Sequence, residues 1–474
     1  MSMTAAEKHR WMTETPIPRL VTSLAIPTTV SQLITIIYNT ADTYFVSHIS
    51  TSASGAVGVA FALQAVIQAL GFGVSMGCSS IVSRKLGAKD VEGAQMYASS
   101  SIAAAIAMGF LLLVSGLSTL RPLMRLFGAT ETMLPYACDY ARIILIGAPV
   151  MCTSFILSAI LKSEGEARLS MVGLTTGGLV NIALDPLFIF VFKMGIAGAA
   201  LATILSQGVS LVILALMFRG DRSIIKLNFK NVSKKFSVYF DLVRIGFPTI
   251  CRQGLASVSS ALLNHGAAAW GGNYADATVA AVTISNKIYM LVRSVTIGLG
   301  QGFQPVAGYN YGAGLNKRVK KAFWFATAVG TALCLLCAVG IGLNTGAVIR
   351  WFRDDDKVVE IGSLALRFAC MVMPLLAYST FVNQLYQCLG FSVCATILAS
   401  CRQGIFFVPI ILLAPRFIGL TGVQLAQSAA DLATCIVSVP FQIAFFKLIL
   451  NKKNRKAETK ELLDRLFSKG HDDA

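Results

Sequence analysis

Long apolar stretches separated by short polar and charged connections make up most of this sequence. Two of them, Ala94 to Leu120 and Leu201 to Phe218, contain no charged residue at all. A run of about twenty apolar residues is long enough to cross the hydrocarbon layer of a membrane as an α-helix. Membrane β-strands need shorter segments in which apolar and polar residues alternate, and these runs are continuous. The pattern therefore predicts an all-α polytopic membrane protein.

The succession of these stretches predicts twelve transmembrane helices, called spans 1 to 12. Their expected limits are residues 20–47, 55–83, 93–120, 133–162, 168–192, 195–219, 240–266, 276–308, 319–346, 357–390, 393–415 and 418–449. The chain then consists of an N-terminal segment (1–19), an N-lobe of spans 1 to 6 (20–219), an inter-lobe loop (220–239), a C-lobe of spans 7 to 12 (240–449) and a tail (450–474). In the tail, Leu462, Leu463, Leu466 and Phe467 share one helical face, which predicts a short amphipathic helix on the inner membrane surface.

The two halves of the chain repeat each other. With an offset of 225 residues, the pairs in register include Gly77 and Gly302, Arg125 and Arg350, Arg142 and Arg367, Pro149 and Pro374, and Gly165 and Gly390. The offset is 224 at residues 194–202 and 221 where Pro27 meets Pro248. Each half holds an even number of spans, so both halves enter the membrane from the same side. We therefore expect two six-helix lobes related by a pseudo-twofold axis along the membrane normal, with a substrate cavity between them.

The distribution of charge indicates how the chain crosses the membrane. Hydrophobic residues make up 55% of the chain and charged residues 13%, with a formal net charge of +17. The basic residues lie between the apolar stretches and not in one patch with aromatic residues, which argues against a nucleic-acid partner. Most of them fall in the N-terminal segment, the even-numbered connections and the tail, which is the bias of cytoplasmic loops. We expect a multi-pass protein of the bacterial inner membrane with both termini in the cytoplasm and no cleaved signal peptide.

Several other residues that often carry chemistry are better explained by structure. The eleven cysteines lie in or beside apolar stretches and are expected to pack as small apolar side chains. Asp354, Asp355 and Asp356 resemble a metal site, but helix caps in an exposed turn are the better interpretation. The sequence has no HExxH motif, phosphate-binding loop or nucleophile supported by a histidine. An enzyme or a membrane receptor is therefore the weaker class of function.

Two carboxylates are expected at membrane depth in the first half of the chain. Asp42 lies on span 1, three residues after Asn39, and Asp185 lies on span 5, four residues after Asn181, so that each pair shares a helix face. An ionisable side chain inside a membrane is costly and marks a functional site by default. Two acids and two carboxamides can bind a small cation through oxygen, or can bind a proton. Either alternative predicts a coupling-ion site in one lobe, which favours a carrier over a channel.

These residues belong to a set of motifs that resembles the multidrug and toxic compound extrusion (MATE) family, in its DinF-type and MepA-type branches. The motifs are Ile26-Pro27, residues 38–43 (YNTADT), 83–87 (SRKLG), 181–186 (NIALDP), 194–200 (MGIAGAA), 300–305 (GQGFQP) and 308–313 (GYNYGA). The likeness extends from about Leu20 to Leu450.

The resemblance implies a secondary active efflux transporter that exchanges amphiphilic organic compounds for Na⁺ or protons by alternating access. It implies a cation site formed by Asp42, Asn181, Asp185 and Thr203, with Tyr140 nearby, and a span 1 that bends at Pro27 when the occupancy of the site changes. The expected partners are a small organic substrate and membrane lipid. We expect a monomer with no cofactor beyond the coupling ion.

The second half differs from the family pattern, because its polar spans are basic. Family members with an acidic C-lobe site carry carboxylates on spans 7 and 10, whereas this chain has Arg252 and Gln253 on span 7 and Asn383, Gln384 and Gln387 on span 10. Lys287, Arg293 and Arg402 add cations on spans 8 and 11, and Asp431 on span 12 is a candidate partner for one of them. The residues expected to line the substrate cavity are Asn39, Arg252, Gln253, Lys287, Arg293, Gln384 and Arg402. A positive wall favours an alternative function, the export or flipping of an anionic or zwitterionic metabolite or lipid-linked intermediate.

Overall fold

The computed structural model describes residues 4–49, 51–219 and 223–449, which are helical almost throughout and contain no β-strand. The helices of the N-lobe are α1 (Ala5–Glu14), α2 (Ile17–Ser47), α3 (Thr51–Gly87), α4 (Val91–Ser118), α5 (Leu120–Leu126), α6 (Leu134–Ser163), α7 (Ala167–Pro186) and α8 (Gly195–Met217). The helices of the C-lobe are α9 (Phe236–Trp270), α10 (Ala275–Gly312), α11 (Asn316–Leu343), α12 (Thr345–Phe352), α13 (Asp356–Cys388), α14 (Ser392–Ser400), α15 (Phe407–Ile418) and α16 (Leu420–Ala444). Short π-helical segments follow α7 (Leu187–Val191), α14 (Cys401–Phe406) and α16 (Phe445–Ile449).

The predicted twelve-span, two-lobe fold is confirmed. In the N-lobe the spans are α2, α3, α4, α6, α7 and α8, and in the C-lobe they are α9, α10, α11, α13, the α14–α15 pair and α16. Ten of these twelve are apolar enough to be recognised as membrane spans by composition and length among the described residues. The other two, α9 and α10, carry Arg252, Lys287 and Arg293, so their low hydropathy comes from the basic side chains noted above.

Each lobe is built around one central helix. In the N-lobe α6 packs against α3, α4 and α8, and in the C-lobe the repeat-related α13 packs against α10, α11 and α16. Both helices contain an interior proline at equivalent positions, Pro149 and Pro374, where a kink is expected. Tyr140 on α6 and Tyr386 on α13 are among the largest side chains that are fully buried. The equivalence of α6 and α13 shows that the sequence repeat is also a repeat of packing.

The two lobes meet at one end of the bundle, here called the terminal end because α1 and the segment 223–235 lie there. Ser80 of α3 donates to the backbone oxygen of Cys388 at 2.7 Å, and Arg84 donates to that of Leu389 at 3.0 Å. Glycines allow the helix backbones to come together, since a Cβ at Gly77 would clash with the backbone of Leu242. Among the described residues, the hydrogen bonds between helices of the two lobes are confined to this half of the bundle.

The N-terminal segment, predicted only as a cytoplasmic segment before span 1, contains helix α1 with a capping box formed by Thr4 and Glu7. Its Lys8 side chain is buried and pairs with Glu164 at 3.5 Å and with Glu166 at 3.0 Å. On the other side of α1, His9 lies 3.1 Å from the hydroxyl of Tyr309 in the C-lobe. Helix α1 therefore joins the two lobes at the terminal end.

The inter-lobe loop is packed against the N-lobe at residues 223–225. Glu164, at the end of α6, accepts hydrogen bonds from the hydroxyl of Ser223 and from the backbone N–H groups of Ile224 and Ile225 at 2.6 to 3.1 Å. Ser223 and Ile225 are buried. The predicted amphipathic helix of the tail lies outside the described residues.

The turns at the opposite end follow the sequence prediction. Asp355 caps α13 by accepting from the backbone N–H groups of Lys357 and Val358. Arg350 pairs with Asp356 at 2.9 Å, and Arg125 pairs with Glu131 at the same distance in the other lobe. These groups are exposed, so the pairs contribute little stability. The eleven cysteines are free thiols, most of them buried.

Candidate functional site

Five polar side chains from four helices meet inside the N-lobe. They are Asp42 on α2, Tyr140 on α6, Asn181 and Asp185 on α7, and Thr203 on α8, and all are buried. Helix α2 packs on α7, and α7 packs on α8, which brings these faces together. The family resemblance implied a cation site of Asp42, Asn181, Asp185 and Thr203 with Tyr140 nearby, and the structure places these residues in one region.

The two carboxylates are near each other and are poorly satisfied. Asp42 and Asp185 are close enough to interact electrostatically, and Tyr140 interacts with both. The amide of Asn181 donates to Oδ1 of Asp185 at 3.3 Å. In the described part of the chain, Oδ1 of Asp42, Oδ1 of Asn181 and Oδ2 of Asp185 are buried without a hydrogen-bond partner. Buried polar oxygens are usually paired, so three orphaned oxygens in one place mark a position for a ligand.

The chemistry of these groups fits a small cation or a proton. Carboxylate and amide oxygens are hard ligands of the kind that alkali and alkaline-earth cations prefer. The hydroxyl of Thr203 donates to the backbone oxygen of Ala199 at 3.1 Å, which leaves its lone pairs available as a further ligand. If a proton binds instead, one carboxyl group becomes neutral and the repulsion between Asp42 and Asp185 disappears.

Next to this site, a polar cavity opens between α2, α3, α6, α7 and α8 of the N-lobe and α10 of the C-lobe. It holds ≈ 800 Å³, including the space that opens to the exterior, and its lining includes Gln68, Gln207 and Lys162. Tyr38 lines the cavity one turn from Asp42, whereas the predicted lining residue Asn39 is half-buried on a neighbouring face of α2. Sequence reasoning missed Gln68 and Gln207, although both are carboxamides within apolar stretches and could have been found by that signal.

Pro27 lies inside α2, in the half of the helix that contacts the C-lobe. The hydroxyl of the next residue, Thr28, donates to the backbone oxygen of Gly298 on α10 at 2.7 Å. A Cβ at Gly298 would lie 2.6 Å from Cα of Thr29, so α2 and α10 are in backbone contact here. The Pro27 nitrogen carries no hydrogen, so α2 lacks one backbone hydrogen bond at this point. The weak point of α2 therefore coincides with its contact with the other lobe.

The C-lobe contains a buried cluster of charged side chains that is mainly basic, whereas the N-lobe site is acidic. Arg402, in the π-helical segment after α14, donates to Asp431 on α16 at 2.5 Å and to the hydroxyl of Tyr289 on α10 at 2.6 Å. Tyr289 also hydrogen-bonds Asp431, and Gln427 donates to the same carboxylate at 3.2 Å. Asp431 is therefore the partner of Arg402, as the sequence suggested, and this arginine is neutralised.

Two further arginines line a second cavity beside this cluster. Arg252 on α9 and Arg293 on α10 line it together with Arg402, and Asn383 lies on its α13 wall. Gln384, predicted to line the substrate cavity between the lobes, packs against Gly300 in the interior of the C-lobe. It was misplaced because adjacent helix positions point about 100° apart.

Two other expected lining residues lie outside this cavity. Lys287 is exposed on α10, and Gln253 is half-buried on α9. Neither is among the side chains that form the cavity with Arg252 and Arg293. The basic wall therefore consists of fewer residues than the sequence suggested.

Comparison with known proteins shows which family has this architecture. The MatE family model matches the chain twice, over residues 27–187 and 252–413, once in each lobe. The chain belongs to the MatE family. The double match also reproduces the internal repeat found in the sequence.

Individual MATE relatives match the chain over nearly its whole length. The Staphylococcus aureus protein named multidrug export protein MepA is 25% identical over 438 residues, which cover 91% of this chain and 95% of MepA. A structure described as the outward-facing conformation of a multidrug resistance MATE family transporter has a TM-score of 0.88 at 25% identity and covers 96% of this chain and all of that one. A MATE structure in a bent conformation has a TM-score of 0.85 at 26% identity, covering 94% of this chain and 98% of that one. This MATE protein is a multi-pass membrane transporter and not an enzyme.

Proposed function

We propose that this MATE protein exports amphiphilic organic compounds in exchange for Na⁺ or protons, by alternating access between its two lobes. MepA is named a multidrug export protein, which supports organic drugs as the substrate class. The observation that carries the proposal is the group of orphaned oxygens on Asp42, Asn181 and Asp185 in the N-lobe. A transporter that exchanges ions for substrate needs a buried site that accepts a cation reversibly, and this group supplies one.

The proposed orientation places the terminal end in the cytoplasm of a bacterial cell, at the inner membrane. The basic connections lie at that end, which agrees with the positive-inside bias. The lobes are in contact there, so a cavity between them opens toward the opposite side. The likeness to an outward-facing relative supports this assignment.

In the proposed cycle, the occupancy of the cation site changes the shape of α2. Asp42 lies in one half of α2 and Pro27 in the other, so a shift of α2 at the site moves the segment that touches Gly298 of the C-lobe. The relative solved in a bent conformation supports a bend as one of the states of this fold. The ion gradient would thereby favour one arrangement of the lobes over the other.

The test replaces each N-lobe carboxylate with its amide. Asp42→Asn and Asp185→Asn should each lower ethidium export from proteoliposomes at least tenfold under an imposed Na⁺ or proton gradient. The reason is that the amide side chain carries no negative charge and cannot bind Na⁺ or a proton as the carboxylate does. Asp276→Asn, which removes an exposed carboxylate from the C-lobe, is the matched control and should export at the wild-type rate.

Gradients of Na⁺ and of protons are imposed separately, so that the coupling ion is identified in the same experiment. Size-exclusion profiles of the purified variants check that all remain folded. Wild-type export by Asp185→Asn would remove α7 from the coupling mechanism, and gradient-independent export by the wild type would overturn the proposed antiport.

A further inference from the structure

The cavity of Arg252 and Arg293 holds more positive charge than the protein neutralises. Three guanidinium groups, those of Arg252, Arg293 and Arg402, line it, and Asp431 pairs with Arg402. One carboxylate against three guanidinium groups leaves two positive charges, and no acidic side chain lines the cavity itself within the residues that the structure describes. These three arginines are close enough to repel one another.

The two uncompensated arginines are held inside the lobe. Arg293 is 8% exposed and forms no ion pair in the described part of the chain, and Nε of Arg252 is buried without a hydrogen-bond partner. Removing a charge from water without an opposite charge is costly. Such an arrangement is expected where a ligand supplies the missing charge.

The sequence repeat provides an internal comparison for these positions. In the registers given above, Arg252 corresponds to Ser31 (offset 221), Arg293 to Gln68 (offset 225) and Asp431 to Gln207 (offset 224). Gln68 and Gln207 line the polar cavity that the N-lobe forms with α10. The repeat therefore places uncharged side chains at all three positions in the N-lobe, which shows that the fold does not require arginine there.

We propose that the C-lobe cavity binds the oxyanion group of a small organic molecule, a carboxylate or a phosphate, with Arg252 and Arg293 as its ligands. The planar guanidinium fork matches both oxyanions with two parallel hydrogen bonds. Ile297, Leu398 and Ala399 form an apolar part of the lining, which suits the aromatic or aliphatic body of such a molecule. Arg402 is not assigned as a ligand, because its charge is paired with Asp431 and its Nε and Nη2 groups donate to Asp431 and Tyr289. This site is independent of the proposed cation site in the N-lobe.

The test measures binding by the purified full-length protein in detergent, by calorimetric titration with sodium benzoate and with phenyl phosphate at constant ionic strength. The wild type should bind at least one of the two saturably. Arg252→Gln and Arg293→Gln should each raise the dissociation constant at least tenfold, and Arg293→Lys should retain part of the affinity. Arg416→Gln, which removes an exposed cation from α15 in the same lobe, is the matched control and should bind as the wild type does.

Thermal unfolding without ligand separates this proposal from a structural role. If the two cations await an anion, Arg293→Gln should unfold at the same temperature as the wild type or higher, whereas a structural role predicts a lower temperature. Absence of saturable binding of both probes by the wild type, or equal loss in Arg416→Gln, would overturn the proposal. Asp42→Asn should keep its affinity for the anion, so the outcome does not depend on whether the N-lobe site couples transport to an ion.

A lipid phosphate is the other source of the same chemistry. Titrations in nanodiscs of phosphatidylcholine and of phosphatidylglycerol distinguish it. Binding that is equal in the two lipids supports a small-molecule ligand, and competition by phosphatidylglycerol that Arg293→Gln abolishes would reassign the cavity to a lipid headgroup.

Discussion

At the scale of single residues, this protein contains buried charges with very different degrees of compensation. Lys8 and Glu164 form a buried pair that is further satisfied by hydrogen bonds from residues 223–225. Arg402 and Asp431 are similarly paired. Asp42 and Asp185, by contrast, lie near each other, and each has one buried oxygen without a hydrogen-bond partner among the described residues. Pairs of the first kind hold segments together. Groups of the second kind are available to a ligand, which is why their substitution is expected to affect binding more than stability.

Lys8→Met should destabilise the protein, and the effect should grow as the pH rises. Burial raises the pKa of Glu164, while the charge of Lys8 and the hydrogen bonds from Ser223 and Ile225 oppose that rise. Without Lys8 the pKa of Glu164 should rise further, so its neutral form is favoured in the folded state. Stability is then retained below the unfolded pKa of Glu164 and lost as the pH increases through the folded pKa. We expect a cost of about 3 kcal/mol at neutral pH, as for other broken buried pairs.

The measurement is thermal unfolding of the purified protein between pH 5 and pH 8. The double variant Lys8→Met with Glu164→Gln removes both charges. Its unfolding temperature should depend less on pH than that of Lys8→Met alone. A destabilisation of Lys8→Met that is the same at every pH would show that Glu164 does not become an uncompensated charge.

The residues of the candidate site were easier to predict than their surroundings. Asp42 and Asp185 stand out because a carboxylate within an apolar stretch has few structural explanations. Their convergence depended on the family resemblance, since helix faces alone do not decide which helices are neighbours. Gln384 illustrates this: it was correctly expected to be buried and polar, but its contact with Gly300 depends on the rotation of α13 against α10.

At the scale of single elements, hydrophobic runs predicted the long helices well and the short ones poorly. Helix α1 has a capping box at Thr4 and Glu7, a signal that is visible in the sequence. It was not predicted as a helix because its polar composition lacks the apolar run by which the spans were found. The π-helical segments, including Cys401–Phe406, depend on tertiary packing and have no sequence signal of their own.

Helix α2 is the element whose shape we expect to control the transport rate. Pro27→Ala supplies a backbone N–H that can donate to the oxygen of Ser23, one turn earlier, and an interior proline costs a helix about 3 kcal/mol. The unbent form of α2 should become more favourable. We therefore expect turnover to fall at least threefold, while the dissociation constant for ethidium changes less than twofold. The measurements are ethidium efflux from proteoliposomes and ethidium binding to the purified protein.

The repeat offers a matched control for this substitution. Pro248→Ala changes the equivalent residue of α9, which carries no carboxylate corresponding to Asp42. It should affect turnover less than Pro27→Ala. Equal effects of both substitutions, or no effect of either, would show that Pro27 only contributes to packing.

At the scale of the whole molecule, the repeat predicted two equivalent lobes, and it also shows how they diverged. The backbone scaffold is shared, as the two matches of the family model show. The buried charges are not shared, because they lie on positions that the fold leaves free to vary. The sequence therefore predicted the architecture better than the closed arrangement of the lobes, which depends on contacts between helices far apart along the chain.

The closed terminal end depends on how closely the backbones of the two lobes approach, and glycine makes this approach feasible. A Cβ at Gly77 on α3 would clash with the backbone of Leu242 on α9, whereas a Cβ at Gly58 on the same helix would meet no atom within 4 Å. Both Gly77→Ala and Gly58→Ala favour the helix by about 1 kcal/mol. Only Gly77→Ala should separate the lobes at the terminal end, and we expect it to lower ethidium efflux about tenfold.

The same pair of variants tests the closure of the lobes directly. Cys388 is buried at the terminal end, where its backbone oxygen accepts from Ser80. Labelling of this thiol by N-ethylmaleimide, followed by peptide mass spectrometry, should be faster in Gly77→Ala than in the wild type and unchanged in Gly58→Ala, because separation of α3 from the C-lobe exposes it. Wild-type labelling and efflux in Gly77→Ala would mean that a shift of α3 accommodates the methyl group, and that close approach of the backbones is not what keeps the terminal end closed.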